Sequence, residues 1–384
     1  MKNFKSALFF LCCLAVTSCA TNYEEEKSVL LQKPEGSDLV TAFDVEKEQA
    51  ESYKTQSLEE QKRAEEERVA AEALAAAQKK TKGKASKAKT PVVKDAETKE
   101  AATNKEAKAV AKPATQTTSS NYLNPVLPAD YPEEYKAYDA KSRGVWSKFK
   151  PVFYQGEQSI MAISYLGVTA GYITILSKEV VSLNNKQAFH FYARFKSSDS
   201  YRYFYWLDDR LDSYVEKETF LPMKYSLIQR EKKQNVDDLQ LFDFQKMMTY
   251  HWYKRVKEGS NKDEKISASI PSLSQDSFSA LQLVRGLPLN KGDIYEFPVV
   301  TRGKFWLLKV EVMGEDTINV ADKEVKAIKI RAETNFPGVL KKSGDIIFWY
   351  GNDPERKLLK FQAKIKIGSV YGELVEYKPG IKVQ

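Results

Sequence analysis

Few side chains in this 384-residue sequence are equipped for nucleophilic, metal-binding or proton-transfer chemistry. There are three cysteines, Cys12, Cys13 and Cys19, and two histidines, His190 and His251. Each histidine sits between aromatic neighbours, Phe189 and Phe191 or Tyr250 and Trp252, and needs a positioned partner to act as a base or metal ligand. No G-x-S-x-G elbow, H-E-x-x-H helix or phosphate-cradling glycine loop accompanies them, so both read as strand residues. Paired carboxylates are the remaining route to acid-base chemistry. Asp208, Asp209 and Asp212, or Asp237 and Asp238, would have to meet other acids across a sheet. Acidic clusters between strands are more commonly turns, and no enzymatic activity, cofactor or metal is expected.

Ligand recognition has a different signature. The run Tyr201-Arg202-Tyr203-Phe204-Tyr205-Trp206-Leu207 reads as a strand with two aromatic faces. One face, with Tyr201, Tyr203, Tyr205 and Trp206, is a candidate lining for a cavity holding an acyl chain or another amphipathic ligand. The alternative is a strand packed on both sides. Ile346 to Tyr350, centred on Trp349, poses the same choice. Arg285 closes a helical pattern, where it either satisfies terminal carbonyls or grips an anionic head group beside Tyr203 and Tyr205. The local role is preferred.

Such residues need an address and a scaffold. Met1 to Cys19 has the parts of an export signal: Lys2 and Lys5, the apolar run Ala7 to Val16, and small residues before a processing point. It is too short to span a bilayer, which takes about 20 apolar residues. Leu14-Ala15-Val16-Thr17-Ser18-Cys19 resembles the bacterial lipobox. That resemblance implies that residues 1–18 are removed and that Cys19 is the lipidation site. Cys19 would take a diacylglyceryl group and a further chain of the palmitate class, giving a lasting anchor where a single chain would not. Ala20 rather than Asp after the cysteine implies, by enterobacterial sorting, the outer membrane of a Gram-negative envelope, periplasmic side. The other two cysteines go with the signal, leaving no disulfide or thiol chemistry.

Of the 45 Phe, Tyr and Trp residues, six precede residue 121. So few large apolar groups cannot offset a backbone ordering cost of roughly 1–2 kcal/mol per residue, so the first third reads as anchor and tether. Residues 19–42 form the anchor and a flexible segment. Residues 43–80, rich in Glu, Lys, Arg and Ala without Pro or Gly, predict a solvated charged helix of about 57 Å. They carry no sustained coiled-coil seam. Residues 81–120 turn to Lys, Ala, Thr and Pro and predict a disordered linker with a reach of roughly 35 Å.

From residue 121 to 384 short alternating runs take over, predicting one β-rich domain. In Ala188 to Lys196, Phe189, Phe191, Ala193 and Phe195 share one face. Further strands read at about 158–165, 171–182, 201–207, 213–219, 224–230, 239–256, 293–300, 304–313, 325–332, 345–351, 357–367 and 370–377. Asn184-Asn185 and Arg302-Gly303 mark hairpins. Ser274 is a candidate cap for one short helix, with Phe278, Leu281 and Val284 at helical spacing and Gly286 and Pro288 ending it. The expected fold is mainly β, a large antiparallel curled sheet or barrel-like domain with that helix as plug or lid. From residue 121 onward 40 Lys and Arg face 33 Asp and Glu. The excess favours anionic surfaces and falls short of a nucleic-acid signature.

Three pieces of this domain resemble a known family: Asp212-Ser213-Tyr214-Val215 through Leu221-Pro222, Gln275 to Leu281 leading to Arg285-Gly286-Leu287-Pro288-Leu289, and Gly368 to Leu374. In order and spacing, over about residues 150–378, they look like the bacterial family called domain of unknown function 3108. The resemblance implies the fold and an envelope location, and no activity. The leading expectation is a non-enzymatic envelope lipoprotein, a binding or scaffold module partnered by the membrane and by peptidoglycan, anionic lipid or other envelope proteins. A carrier of acyl chains in a β half-barrel is the alternative, and an enzyme on envelope polymer the third. A filled core favours the scaffold, a continuous apolar lumen the carrier, a polar cleft with converging carboxylates the enzyme.

Overall fold

The computed structural model describes residues 122–335, 345–364 and 368–383. Cys19, the 43–80 helix and the 81–120 linker lie outside the described residues.

The first element is helix α1 (Lys136–Trp146), entered through Pro132 and a single 3-10 turn. Its inward stripe is Asp139, Ser142, Val145 and Trp146. The strands follow as β1 (Tyr154–Gln155), β2 (Gln158–Tyr165), β3 (Val168–Ser177), β4 (Val181–Leu183), β5 (Lys186–Ser197), β6 (Asp208–Glu216), β7 (Pro222–Glu231), β8 (Gln234–Asp243), β9 (Met248–Lys257) and β10 (Lys262–Ser269). Helix α2 (Ser279–Arg285) interrupts them. Then come β11 (Ile294–Thr301), β12 (Lys304–Val320), β13 (Lys323–Asn335), β14 (Asp345–Gly351), β15 (Leu358–Lys364), β16 (Ser369–Lys378) and β17 (Ile381–Lys382).

Pairing is antiparallel throughout, in the order β10-β9-β8-β7-β6-β5-β3-β2-β16-β15-β14-β13-β12-β11, with β4 on β5 and a separate β1-β17 ladder. The expected large antiparallel sheet is therefore present. It is two meanders of consecutive strands joined by one long-range ladder, β2 on β16. Tight turns set the register: Asn184-Asn185, Arg302-Gly303 and Ala321-Asp322 each place both central residues at positive φ, the twist that suits a two-residue hairpin.

The two end strands, β10 and β11, do not pair with each other. They meet through side chains, because the β11-β12 turn folds over β10. A Cβ added at Gly303 would run into Ile266 and Ala268. Arg302 reaches past β10 to donate to Asp238 on β8 at 3.0 Å and lies 3.9 Å from the Tyr253 ring centroid on β9. The free edge of β10 alternates exposed Asp263, Lys265 and Ser267, which discourages strand addition.

One hydrophobic cluster fills the curl. Phe189, Phe191, Leu211, Val215, Phe297, Val310, Ile330 and Phe361 converge on it from the sheet, and Trp146, Phe278, Leu283 and Val284 from the helices. Helix α2 is the expected plug, but its cap is Asp276 rather than Ser274. Asp276 Oδ1 accepts the Phe278 and Ser279 N–H groups, both at 2.7 Å, while the Ser274 hydroxyl bonds back to the Pro271 carbonyl. Ser213 on β6 donates to the other Asp276 oxygen at 2.7 Å and locks the plug to the wall.

Candidate functional site

The acidic positions singled out in the sequence do meet partners across the sheet, and four of the five meet a base. Arg194 grips Asp208 with two bonds of 2.8 Å. His190 Nε2 lies 2.7 Å from Asp212 Oδ1, its ring stacked on Tyr214. Arg230 donates to Asp237 at 2.7 Å. His251 Nε2 lies 2.8 Å from Asp238, whose second oxygen takes Arg302. Both histidines are thus strand residues held by a diagonal carboxylate on the next strand. Burial pushes the His190 pKa down, against the pull of Asp212. Among the described residues, no group of three His, Cys, Asp or Glu side chains is placed to hold a metal ion.

The fifth, Asp209, meets another acid. Gln229 Nε2 donates to both Asp209 and Glu231 at 3.1 Å. Burial, then the Glu231 charge, raises the Asp209 pKa well above the usual carboxylate range, and burial raises Glu231 as well. Two buried acids that share one amide donor hold a proton between them. The remaining acceptors are taken by Arg230 N–H at 3.0 Å, the Tyr205 hydroxyl at 2.7 Å and Gln234 at 3.1 Å. Both acids are buried.

Tyr205 belongs to the aromatic run, which is a turn rather than the expected strand. Ser198, Asp199 and Ser200 precede the aromatics, and their turn chemistry overrides the β propensity of Tyr, Phe and Trp. The Ser198 carbonyl accepts Tyr201 and Arg202 N–H, and the Tyr201 carbonyl accepts Phe204 and Tyr205 N–H. The Ser197 hydroxyl donates to the Tyr205 carbonyl and accepts from Leu207 N–H. Tyr201 and Trp206 are half-buried, while Tyr203 and Phe204 project into solvent, 83% and 77% exposed.

Arg285 has a different environment, among β2, β16 and the β14-β15 connection. Both guanidinium ends donate to Glu157 at 2.6 Å, its Nε donates to the Glu355 carbonyl at 2.8 Å, and Tyr377 completes the Glu157 shell at 2.8 Å. The expected grouping of Arg285 with Tyr203 and Tyr205 is not seen: Arg285 is committed to Glu157 and Tyr205 to Glu231, while Tyr203 projects into solvent. Beside Arg285, Gln282, Ser159 and Lys357 border a cavity of about 30 Å³, room for about one water. Trp349 is separate again. It packs with Val320, Leu359 and Leu374 on the outer face, donates to Asp316 at 2.9 Å and lies under Lys329.

The motif that carries the resemblance has structural work at nearly every position. Gln275 bridges to Val299 and donates to the Phe220 carbonyl at 2.8 Å, Asp276 caps α2, and Arg285 takes Glu157. A Cβ at Gly286 would strike the Lys150 carbonyl and the Phe149 ring. Glu157 and Glu231 are partners that the sequence reading missed. Glu231 stands one residue before the β7-β8 turn, and its pairing with Asp209 follows only once the register is known.

The family model described as "Protein of unknown function (DUF3108)" matches residues 161–375. No curated protein matches the chain. Among solved structures, a β-barrel-like protein of the domain of unknown function DUF1849 from Brucella abortus is similar with a TM-score of 0.41 and 9% identity, over 59% of this chain and 99% of that one. A "putative lipoprotein" from Parabacteroides distasonis ATCC 8503 is similar with a TM-score of 0.28 and 11% identity, over 60% of this chain and 99% of that one.

Proposed function

The chain belongs to the DUF3108 family of proteins of unknown function, and from that premise we propose that it is a non-enzymatic binding or scaffold module of the bacterial envelope, held at the outer membrane by lipid on Cys19. The observation that carries this reading is the filled interior. The sheet closes over a continuous cluster of large side chains and a helical plug, and the cavity beside Arg285 holds about 30 Å³. An acyl chain needs a lumen of several hundred Å³, far more than this cavity offers, which weighs against the carrier reading. Against the enzyme reading, the paired acids Asp209 and Glu231 are buried and engaged by Gln229, Tyr205 and Gln234. A scaffold works through its outside, and here the outside carries the aromatic turn. Native mass spectrometry of the purified protein tests the choice. The expected result is the mass of the chain and its covalent anchor alone. A co-purifying lipid or glycan released on unfolding would restore the carrier or the enzyme.

A further inference from the structure

We infer that the end of the sheet formed by the β2-β3, β5-β6 and β7-β8 turns is a docking surface for an anionic lipid membrane. This deepens the envelope reading and rests on it for the presence of a membrane. Exposed apolar side chains concentrate at that end: Tyr203 and Phe204 on the β5-β6 turn, and Leu166 and Val168, 70% and 54% exposed, on the β2-β3 turn. The two turns are joined. The Ser198 hydroxyl donates to the Thr169 carbonyl at 2.9 Å and Ser198 N–H to the Ala170 carbonyl. Lys232, from the β7-β8 turn, donates to the Phe204 carbonyl at 3.2 Å, and its backbone N–H donates to Trp206.

The exposure is therefore built into the fold. The backbone bonds within residues 198–207, together with the Tyr205 hydroxyl on Glu231, hold the turn so that Tyr203 and Phe204 point outward. Charge selects the occupant. The turns carry Arg202, Lys232 and Lys233, with half-buried Lys196 near the end of β5, against the exposed carboxylate Asp199. The nearby acids face other work: Asp208 is held by Arg194, and Asp209 and Glu231 are buried. Aromatic and aliphatic side chains on projecting turn tips, rimmed by Lys and Arg, match the interfacial zone of a bilayer, where rings settle at head-group depth and cations meet phosphate.

The test uses the mature chain from Ala20 onward, which lacks the apolar signal and the lipidated thiol, so that no acyl chain binds in place of the fold. It should sediment with vesicles of phosphatidylglycerol and phosphatidylethanolamine, and far less with phosphatidylcholine alone. Replacing Tyr203 and Phe204 together by Ser should lower partition about tenfold with a melting temperature little changed, because both side chains are largely exposed. Arg202→Gln and Lys232→Gln should each lower it by about fivefold, an effect that added salt erases. No binding to the anionic vesicles, or binding indifferent to Tyr203 and Phe204, overturns the inference. Self-association abolished by Phe204→Ser would assign the surface to a second copy instead and overturn it equally. Fractionation of the lipidated wild type reports on the Cys19 anchor separately, so failure of one reading is not mistaken for failure of the other.

Discussion

Two buried acids of this protein are held in opposite ways. Glu157 is neutralised by a two-pronged Arg285 and a tyrosine hydroxyl. Removing one member of such a pair strands a buried charge, so Arg285→Ala should lower stability by about 3–5 kcal/mol. Arg285→Lys should recover only part of that, since an ammonium cannot reproduce the fork. Removing Glu157 as well should relieve some of the loss, measurable as a coupling in chemical denaturation. Asp209 has no cation, and its raised pKa means that the folded state keeps a proton which the unfolded chain has released above about pH 4. The contribution of Asp209 to stability is therefore complete below that pH and declines as pH rises toward the folded pKa. The limiting slope is about 1.4 kcal/mol per pH unit. In Asp209→Asn this part of the slope should vanish. Denaturation midpoints across the acidic to neutral range check it, and an unchanged slope would mean that the pair shares no proton.

At the scale of elements, the glycine in Gly368 to Leu374 explains itself through its partner strand. Gly372 on β16 lies opposite Phe361 on β15, and a Cβ there would occupy the Phe361 ring. Gly372→Ala should cost about 1–3 kcal/mol by overpacking, readable as a lower melting temperature with the sheet content retained. Much of the sheet was legible because one face is apolar at every second residue, as at Phe189, Phe191 and Ala193, and because Asn184-Asn185 and Arg302-Gly303 are hairpin chemistry. What escaped has physical reasons. Helix α1 buries Asp139 and Ser142, so its inward stripe shows no helical period of apolar residues. The burial of Asp139 is offset by the nearby Tyr131 and by Ser272, distant in sequence. The span 239–256 reads as one strand because its turn contains Phe244 and Met247. It is the hairpin of β8 and β9, folded by Asp243 accepting from Gln245 and Lys246 N–H. The candidate ligand residues were legible as unusual, but their partners, Glu157, Glu231 and Asp316, depend on register and closure that no local pattern encodes.

For the whole molecule, the division of labour proposed above places attachment in the first residues and recognition on the folded surface. Among the described residues no helix is long and apolar enough to cross a membrane; the attachment proposed is lipid on Cys19. Cys19→Ser removes the acyl acceptor, and the protein should pass from the membrane fraction to the soluble fraction after a high-salt wash. Retention of the variant would locate the anchor elsewhere. The ladder of β2 on β16 also has a consequence in time. Every other neighbour in the main sheet follows within a hairpin or a short crossover, so each meander can zip from its own turns, whereas β2 must wait for β16 to be made and to return across most of the domain. Closure entropy grows only slowly with the length of the intervening chain, but it falls due before any contact of that ladder forms. Until then two half-sheets each present an unpaired edge of the full length of a strand. As the chain is synthesised, the N-terminal half, β2 to β10, is complete before β16 has appeared. The molecule thus passes through a stage in which its most central seam is its most adhesive one.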